Sequence, residues 1–174
     1  MNRFREAKRD VQVDAGAAAN SQALQVEGRW PLPGLAPMTR VETSFGKVHA
    51  VALRKGDAVK TKNGDFRKIV WLNRVLLDQT LLDEKPDANP VRIRAGAIGH
   101  AMPAKDVLVS PRQKLRISGA NPRAEAGDLE GHSGIERQAE AGLSYTMFHL
   151  GETAEVECDG VFMLFEPPHA RRAD

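Results

Sequence analysis

The stretch "RVETSFGKVHAVALRKGDAVKTKNGDFRKIVWLNR", residues 40–74, decides the fold class. Apolar and polar residues alternate along its arms, as they do in half-buried β-strands. Phe45-Gly46 and residues 54–57 are typical of turns, and Asn63-Gly64 is the strongest short hairpin signal in the chain. Residues 40–74 therefore predict short antiparallel strands joined by tight turns.

The same pattern continues toward the C-terminus. The further strand-like stretches are "VRIRAGAIG" (91–99), "KDVLVSPRQKLRI" (105–117), "LSYTMFHL" (143–150) and "AEVECDGVFMLFEP" (154–167). The second of these has two alternating arms around a polar corner, residues 110–113, and the last predicts a strand pair turning at Asp159-Gly160. Residues 78–90 predict a loop or one or two helical turns. The whole chain is predicted to be a mostly-β protein with many short strands.

Three segments fall outside this pattern. Residues 1–33 predict an irregular N-terminal extension that orders only against something else, with Trp30 as the one aromatic residue that must pack. Residues 118–142 are rich in Gly, Ala and Glu, and predict a long, exposed, flexible loop. Residues 167–174 form a short polar tail, which leaves 34–166 as the β domain.

Composition limits the class of protein. The chain has 174 residues, of which 41% are hydrophobic and 28% are charged, as expected for one soluble globular domain with a single core. Its one cysteine, Cys158, excludes an intrachain disulfide, and no Cys/His group has zinc-site spacing, so no metal or cofactor is expected. No apolar run is long enough to cross a bilayer, and none follows the charged N-terminus. We therefore expect no membrane association and a cytoplasmic location.

Charge is unevenly distributed. Residues 40–116 hold 16 Lys/Arg against 8 Asp/Glu, whereas residues 150–168 hold five acidic residues and no basic one. Solvated strand faces are the favoured interpretation. A nucleic-acid site usually gathers its positive charge on one face, with stacking aromatics among it. It is disfavoured here, because the basic residues alternate with apolar ones along strand-like segments. A third interpretation is that the basic middle and the acidic end attract each other, within the fold or across an oligomer.

The order of these stretches resembles the Hint (Hedgehog/intein-type) domains of bacterial proteins. The residues that fit the family pattern are Leu53, Gly56, Asp57, Val59, Thr61, Gly64 and Trp71. "PVRIRAGAIGHAMPAKDVLVSPRQKL" (90–115) is similar to the next family stretch, which ends in a "VSP.H" corner. The resemblance covers about 34–166, and it implies a compact, horseshoe-like β-fold with autoprocessing chemistry.

In that chemistry, a first-position cysteine attacks the preceding carbonyl to form a thioester, and the corner histidine protonates the departing amide nitrogen. The resemblance places the cysteine position at Gly34 and the histidine position at Gln113. Ser110 matches the family's Thr or Ser three residues before the histidine, although it could equally be a local cap. Ala154 takes the histidine position of a "H-E" pair in the closing strands.

Glycine has no side chain, and an amide cannot exchange protons near neutral pH. The resemblance therefore implies a catalytically inactive domain that acts as a protein-interaction or structural module, such as a subunit of a larger assembly. A protein partner is expected, with Trp30 as its aromatic anchor.

The alternative is a self-processing domain with a non-standard nucleophile. His100 is the best substitute proton donor, and Cys158 is the candidate displaced nucleophile. Structural roles are favoured for two hydroxyl side chains near the start of the domain, Thr39 and Ser44, and for two histidines in strand-like contexts, His49 and His149. His132 and His169 have no evident partner.

Overall fold

The computed structural model of the chain describes residues 29–117 and 123–168. The chain divides into two units, Met1–Pro31 and Leu32–Asp174. Only residues 29–31 of the first unit are described, and Trp30 among them is buried. Most of the predicted N-terminal extension, and the end of the polar tail from residue 169, lie outside the described residues. The fold is that of the second unit.

The second unit is mostly β, as predicted. Its strands are β1 (Arg40–Thr43), β2 (Gly46–His49), β3 (Ala58–Lys60), β4 (Phe66–Lys68), β5 (Trp71–Leu76), β6 (Val91–Ile93), β7 (Val107–Val109), β8 (Lys114–Arg116), β9 (Arg123–Glu125), β10 (Ile135–Arg137), β11 (Ser144–His149), β12 (Ala154–Cys158) and β13 (Val161–Phe165). One short helix, α1 (Gln79–Glu84), follows β5, and 3-10 turns span Ala50–Ala52, Pro86–Ala88 and Ala126–Leu129. The carboxylate of Asp78 caps α1 by accepting a 2.8 Å hydrogen bond from the Leu81 amide. Within residues 29–117 and 123–168, no helix is long and apolar enough to cross a membrane.

The strands form an eight-stranded, a three-stranded and a two-stranded sheet in the described part of the chain. The largest has the order β4-β3-β1-β12-β13-β8-β9, with β2 also paired to β1. The others are β10-β6-β7 and β11-β5, and every pairing is antiparallel. Strands from the start of the domain therefore pair with strands from its end, which brings β1 and β8 into one sheet with the closing pair β12–β13.

The predicted hairpins are present. β1 and β2 turn at Phe45-Gly46, and β3 and β4 turn around Asn63-Gly64. At Asp159-Gly160, φ is 47° and 84°, the left-handed pair that a tight turn between β12 and β13 requires. Residues 66–76 are split at Ile69-Val70 into β4 and β5, which belong to different sheets.

The core is built mainly from aliphatic side chains on the strands. Fully buried members include Val41, Val59, Leu115, Val156 and Met163, all on the eight-stranded sheet. Phe148 on β11 and Phe165 on β13 stack with ring centroids 4.1 Å apart, which joins the two-stranded sheet to the large one.

The segment 118–142 differs from the expected flexible loop. Of its described part, 123–142, Arg123–Glu125 pairs with β8 and Ile135–Arg137 pairs with β6. Ala126 and Ile135 are buried. Each strand has only three residues, so neither displays enough alternation to be recognised in the sequence.

The basic middle and the acidic end of the chain attract each other within the fold, the third of the charge interpretations. Four of the five acidic residues in 150–168 form ion pairs with basic residues of 40–116. The pairs are Arg40–Asp159, Lys62–Glu155, Arg67–Glu152, Lys114–Glu166 and Arg116–Glu155. They follow from the topology, because β1, β3, β4 and β8 share a sheet with β12 and β13.

Leu115→Ala tests the central position of β8. Leu115 is fully buried and pairs with Met163 and Ala124. We expect the free energy of unfolding in urea to fall by about 2–5 kcal/mol, since a buried cavity replaces the side chain. Leu76→Ala is the matched control, because Leu76 is 57% exposed and should change stability by less than about 0.5 kcal/mol. Equal losses in the two variants would contradict this placement of the core.

Candidate functional site

The polar corner of residues 110–113 joins β7 to β8 and faces the start of the domain. The backbone amide of Ser110 donates to the carbonyl of Gly34 at 2.9 Å, and the amide of Gln113 donates to the carbonyl of Ser110 at 3.0 Å. Ser110 and Gln113 are both fully buried. The corner is thus a closed turn in which Ser110 and Gln113 are shielded from water.

The segment that enters the domain is held between two strands. Leu35 forms bridges to Val109 and to Thr146. It exchanges two backbone hydrogen bonds of 2.9 Å with Thr146, and the Ala36 amide donates to the carbonyl of Leu108 at 3.1 Å. Residues 34–36 are therefore fixed on both sides, by β7 and by β11.

Gln113 links this entering segment to the closing strands. Its Oε1 accepts a hydrogen bond from the Gly34 amide at 3.2 Å, and its Nε2 donates to the carbonyl of Leu164 at 3.0 Å. Close by, the Ser110 hydroxyl donates to the carbonyl of Leu32 at 2.5 Å. The structure thus brings together Gly34, Ser110 and Gln113, although they lie far apart in the chain. We call this set the Gln113 clamp.

Tyr145 on β11 restricts what position 34 can hold. A Cβ atom added to Gly34 would lie 2.6 Å from the Cβ of Tyr145 and 3.0 Å from its Cγ. The 2.6 Å contact is with the Cβ of residue 145, which every residue except glycine carries. A smaller side chain at 145 would therefore keep this contact. Tyr145 is itself fixed, because it is fully buried and its hydroxyl donates to the carbonyl of Ala88 at 2.6 Å. Burial also raises the pKa of this phenol well above its usual value.

Ala154 lies beside an open cleft of about 410 Å³ at the start of β12. Leu164, whose carbonyl is bound by Gln113, lines the same cleft. Most of the lining residues are polar or charged, and Glu155 is one of them. We call this the Glu155 cleft.

Three cations surround the Glu155 carboxylate. Arg116 binds both carboxylate oxygens, with its shortest contact at 2.8 Å, Arg123 donates to Oε1 at 3.2 Å, and Lys62 Nζ lies 3.8 Å away. Burial alone would raise the pKa of Glu155, but the hydrogen bonds and charge of Arg116, with the charges of Arg123 and Lys62, lower it below its usual value. Glu155 is therefore ionised at neutral pH.

Comparison with known proteins identifies the family of this chain. The Hint domain family profile matches residues 33–163, about three-quarters of the chain. The chain belongs to the Hint domain family. A search of curated proteins finds no match.

Solved structures of inteins resemble this Hint domain in fold. The MchDnaB-1 intein is 13% identical, with a TM-score of 0.50 over 76% of this chain and 99% of that one. The Msm DnaB1 intein splicing domain, solved bound with zinc, is 9% identical, with a TM-score of 0.51 over 76% of this chain and 99% of that one. At these identities the likeness shows the fold alone. In the described residues of this Hint domain, no group of three or more His, Cys, Asp or Glu side chains is placed to hold a metal ion.

The two substitute groups lie apart from the Gln113 clamp. His100 is exposed, and within the described residues no contact joins it to Gly34, Ser110 or Gln113. Cys158 is fully buried, with its Sγ 3.7 Å from the carbonyl of Val156. Burial, together with the charges of Asp159 and Glu157, raises the pKa of the Cys158 thiol well above its usual value, so little thiolate forms.

The other histidines have structural contacts where they are described. His49 Nδ1 lies 3.0 Å from the carbonyl of Met38, and His132 Nδ1 lies 2.9 Å from that of Leu129. His149 stacks on Trp71 with centroids 5.6 Å apart. His169 lies outside the described residues. These contacts agree with the structural roles expected for His49 and His149.

Sequence reasoning missed Tyr145 and the cations of the Glu155 cleft. Tyr145 was one apolar residue of a strand pattern, and its contact with Gly34 depends on the antiparallel placement of β11. Arg116 and Arg123 are separated by the undescribed residues 118–122, and only the β8–β9 pairing makes them neighbours. The only sequence signal for this pair is that Arg116 ends one strand and Arg123 begins the next.

Gln113→Ala tests the clamp. The substitution leaves the Gly34 amide and the Leu164 carbonyl without their side-chain partner, so we expect a loss of at least about 2 kcal/mol in the free energy of unfolding. Gln79→Ala is the control, because Gln79 is exposed on α1 and bonds only to Asp83 among the described residues. Urea denaturation measures both, and a Gln113→Ala loss no larger than the control would contradict the clamp.

Glu155→Gln tests the ionised carboxylate. A lowered folded-state pKa stabilises the fold above the unfolded-state pKa of about 4.5, and this contribution is lost as pH falls through the folded value. We expect the variant to be less stable at pH 7 by about 1.5–3 kcal/mol and to lose less stability on acidification below pH 4.5 than the wild type. Thermal unfolding between pH 3 and 7 measures this, with Glu136→Gln, an exposed partner of Arg94, as control. Parallel pH profiles for wild type and Glu155→Gln would refute the assignment.

Proposed function

We propose that this Hint domain does not cleave itself and acts as a protein-interaction or structural module, such as a subunit of a larger assembly. The carrying observation is the hydrogen bond from the Gly34 amide to Gln113 Oε1. Self-cleavage at Pro33–Gly34 would need a nucleophile at 34 and a proton donor facing that amide. Glycine supplies no nucleophile, and Oε1 is an acceptor with no proton to deliver.

The same contacts suit a structural role. A glutamine amide accepts and donates at the same time and does not titrate, so Gln113 binds Gly34 and Leu164 at every ordinary pH. A buried side chain that satisfies both backbone groups stabilises one arrangement of the entering segment and the closing strands. Gln113 therefore acts as a fixed connection between the entering segment and the closing strands.

Aromatic residues are the proposed points of contact with a protein partner. Phe45 is 92% exposed at the tip of the β1–β2 hairpin, where it contributes nothing to the core. Trp30 remains our proposed anchor from the sequence; because it is buried here, it would contribute only after it becomes accessible. A cytoplasmic location and the absence of nucleic-acid or membrane partners belong to the same proposal.

A second candidate function is self-processing with a non-standard nucleophile. Its support is the Ser110 hydroxyl, which contacts the carbonyl oxygen of Leu32 next to the family's expected cleavage region. The hydroxyl also accepts a hydrogen bond from the Arg112 amide at 3.2 Å. Within the described residues no histidine contacts it, so a base that would activate it is not part of the clamp.

The intact mass of the full-length chain separates the two functions. We expect one species at the 19.0 kDa of the whole chain, unchanged after several days with added thiol. A self-cleaving Hint domain incubated in parallel controls for the conditions. A reproducible fragment pair would overturn the proposal, and its loss in Ser110→Ala or Cys158→Ala would identify the nucleophile.

A further inference from the structure

We propose that the Glu155 cleft binds a doubly charged oxyanion, with a phosphate group as the best match. The site is lined by residues of β4, β8, β9, β12, β13 and the β3–β4 turn, and none of Gly34, Ser110 and Gln113 lines it. It does not depend on whether the domain cleaves itself.

The first support is an excess of positive charge. The cleft is lined by four cations, Lys62, Arg67, Arg116 and Arg123, and by two carboxylates, Glu152 and Glu155. Arg67 pairs with Glu152, which leaves Lys62, Arg116 and Arg123 around the single carboxylate of Glu155. Among the lining side chains the excess is two positive charges, which matches in magnitude the two negative charges of a phosphate monoester dianion.

The second support is the placement of two arginines directly opposite each other. Arg116 on β8 and Arg123 on β9 are register partners in an antiparallel pair. Like charges in that position destabilise a sheet unless an anion offsets them. Glu155 offsets the charge of one of the two arginines. A bound anion would offset the charge of the other arginine and that of Lys62.

The third support is the set of donors that Glu155 does not use. Arg123 donates through Nε alone, and Arg116 donates through Nε and Nη2. Within the described chain, three guanidinium nitrogens therefore donate no hydrogen bond: Arg116 Nη1 and both Nη atoms of Arg123. Arg137 is different, because its three nitrogens all donate to Glu130 or to backbone carbonyls. The Glu155 cleft therefore retains hydrogen-bonding capacity for an external acceptor.

The chemistry of these donors selects the ligand class. Guanidinium groups present paired N–H donors that match the oxygens of phosphate, and Lys62 adds a half-exposed point charge. A cleft of about 410 Å³ has room for a phosphate group and a small ester substituent. Its charged lining disfavours an apolar ligand.

Titration calorimetry on the full-length chain tests the site, with inorganic phosphate as the probe and chloride at matched ionic strength as the blank. We expect saturable binding of phosphate that weakens roughly tenfold or more in Arg123→Gln, since charge-assisted hydrogen bonds are lost. Lys62→Gln, at a half-exposed residue, should also weaken binding. Arg94→Gln, at an exposed arginine outside the cleft, is the matched control and should bind as the wild type does.

Two further probes separate the sources of the anion. Tighter binding of phosphoserine than of inorganic phosphate would support a phosphate ester as the ligand, whereas weaker binding would support free phosphate. Succinate, a dicarboxylate of the same charge, should bind more weakly than either. The proposal is overturned if phosphate gives no heat beyond chloride, or if Arg94→Gln weakens binding as much as Arg123→Gln and Lys62→Gln do.

Discussion

The amide of Gln113 connects the parts of this domain that are farthest apart in the chain. One end accepts from the backbone where the domain begins, and the other donates to the strand where it closes. A buried amide with both ends satisfied adds roughly 1 kcal/mol per hydrogen bond, but an unsatisfied partner would cost more. That asymmetry makes the position sensitive, because losing this side chain would leave the Gly34 amide and the Leu164 carbonyl without their side-chain partner.

The ion pairs of the domain depend on the order of strands in the eight-stranded sheet. Because β1, β3, β4 and β8 pair into one sheet with β12 and β13, the basic middle of the chain lies against its acidic end. The pairs on the surface contribute little individually. Around the buried Glu155 the balance differs, because its cations outnumber it and leave a positively charged cleft next to the strand that Gln113 binds.

The sequence predicted the parts of the fold that depend on local chemistry. The Asn63-Gly64 and Asp159-Gly160 turns were recognisable because few residues adopt positive φ, and the alternation of residues 105–117 marked two strands around a corner. The resemblance also pointed to Gly34, Ser110 and Gln113, which the structure places together. What could not be predicted depends on long-range pairing: the three-residue strands within 123–137, the facing arginines, and the contact between Gly34 and Tyr145.

That last contact has a consequence for protein engineering. A cysteine introduced at position 34 would place its Cβ 2.6 Å from the Cβ of Tyr145, so the backbone would have to separate before the thiol could be accommodated. A histidine introduced at 113 alone would provide a proton donor with no nucleophile at position 34 to assist. A designed self-cleaving variant would therefore need both substitutions at once, together with a backbone shift between the entering segment and β11.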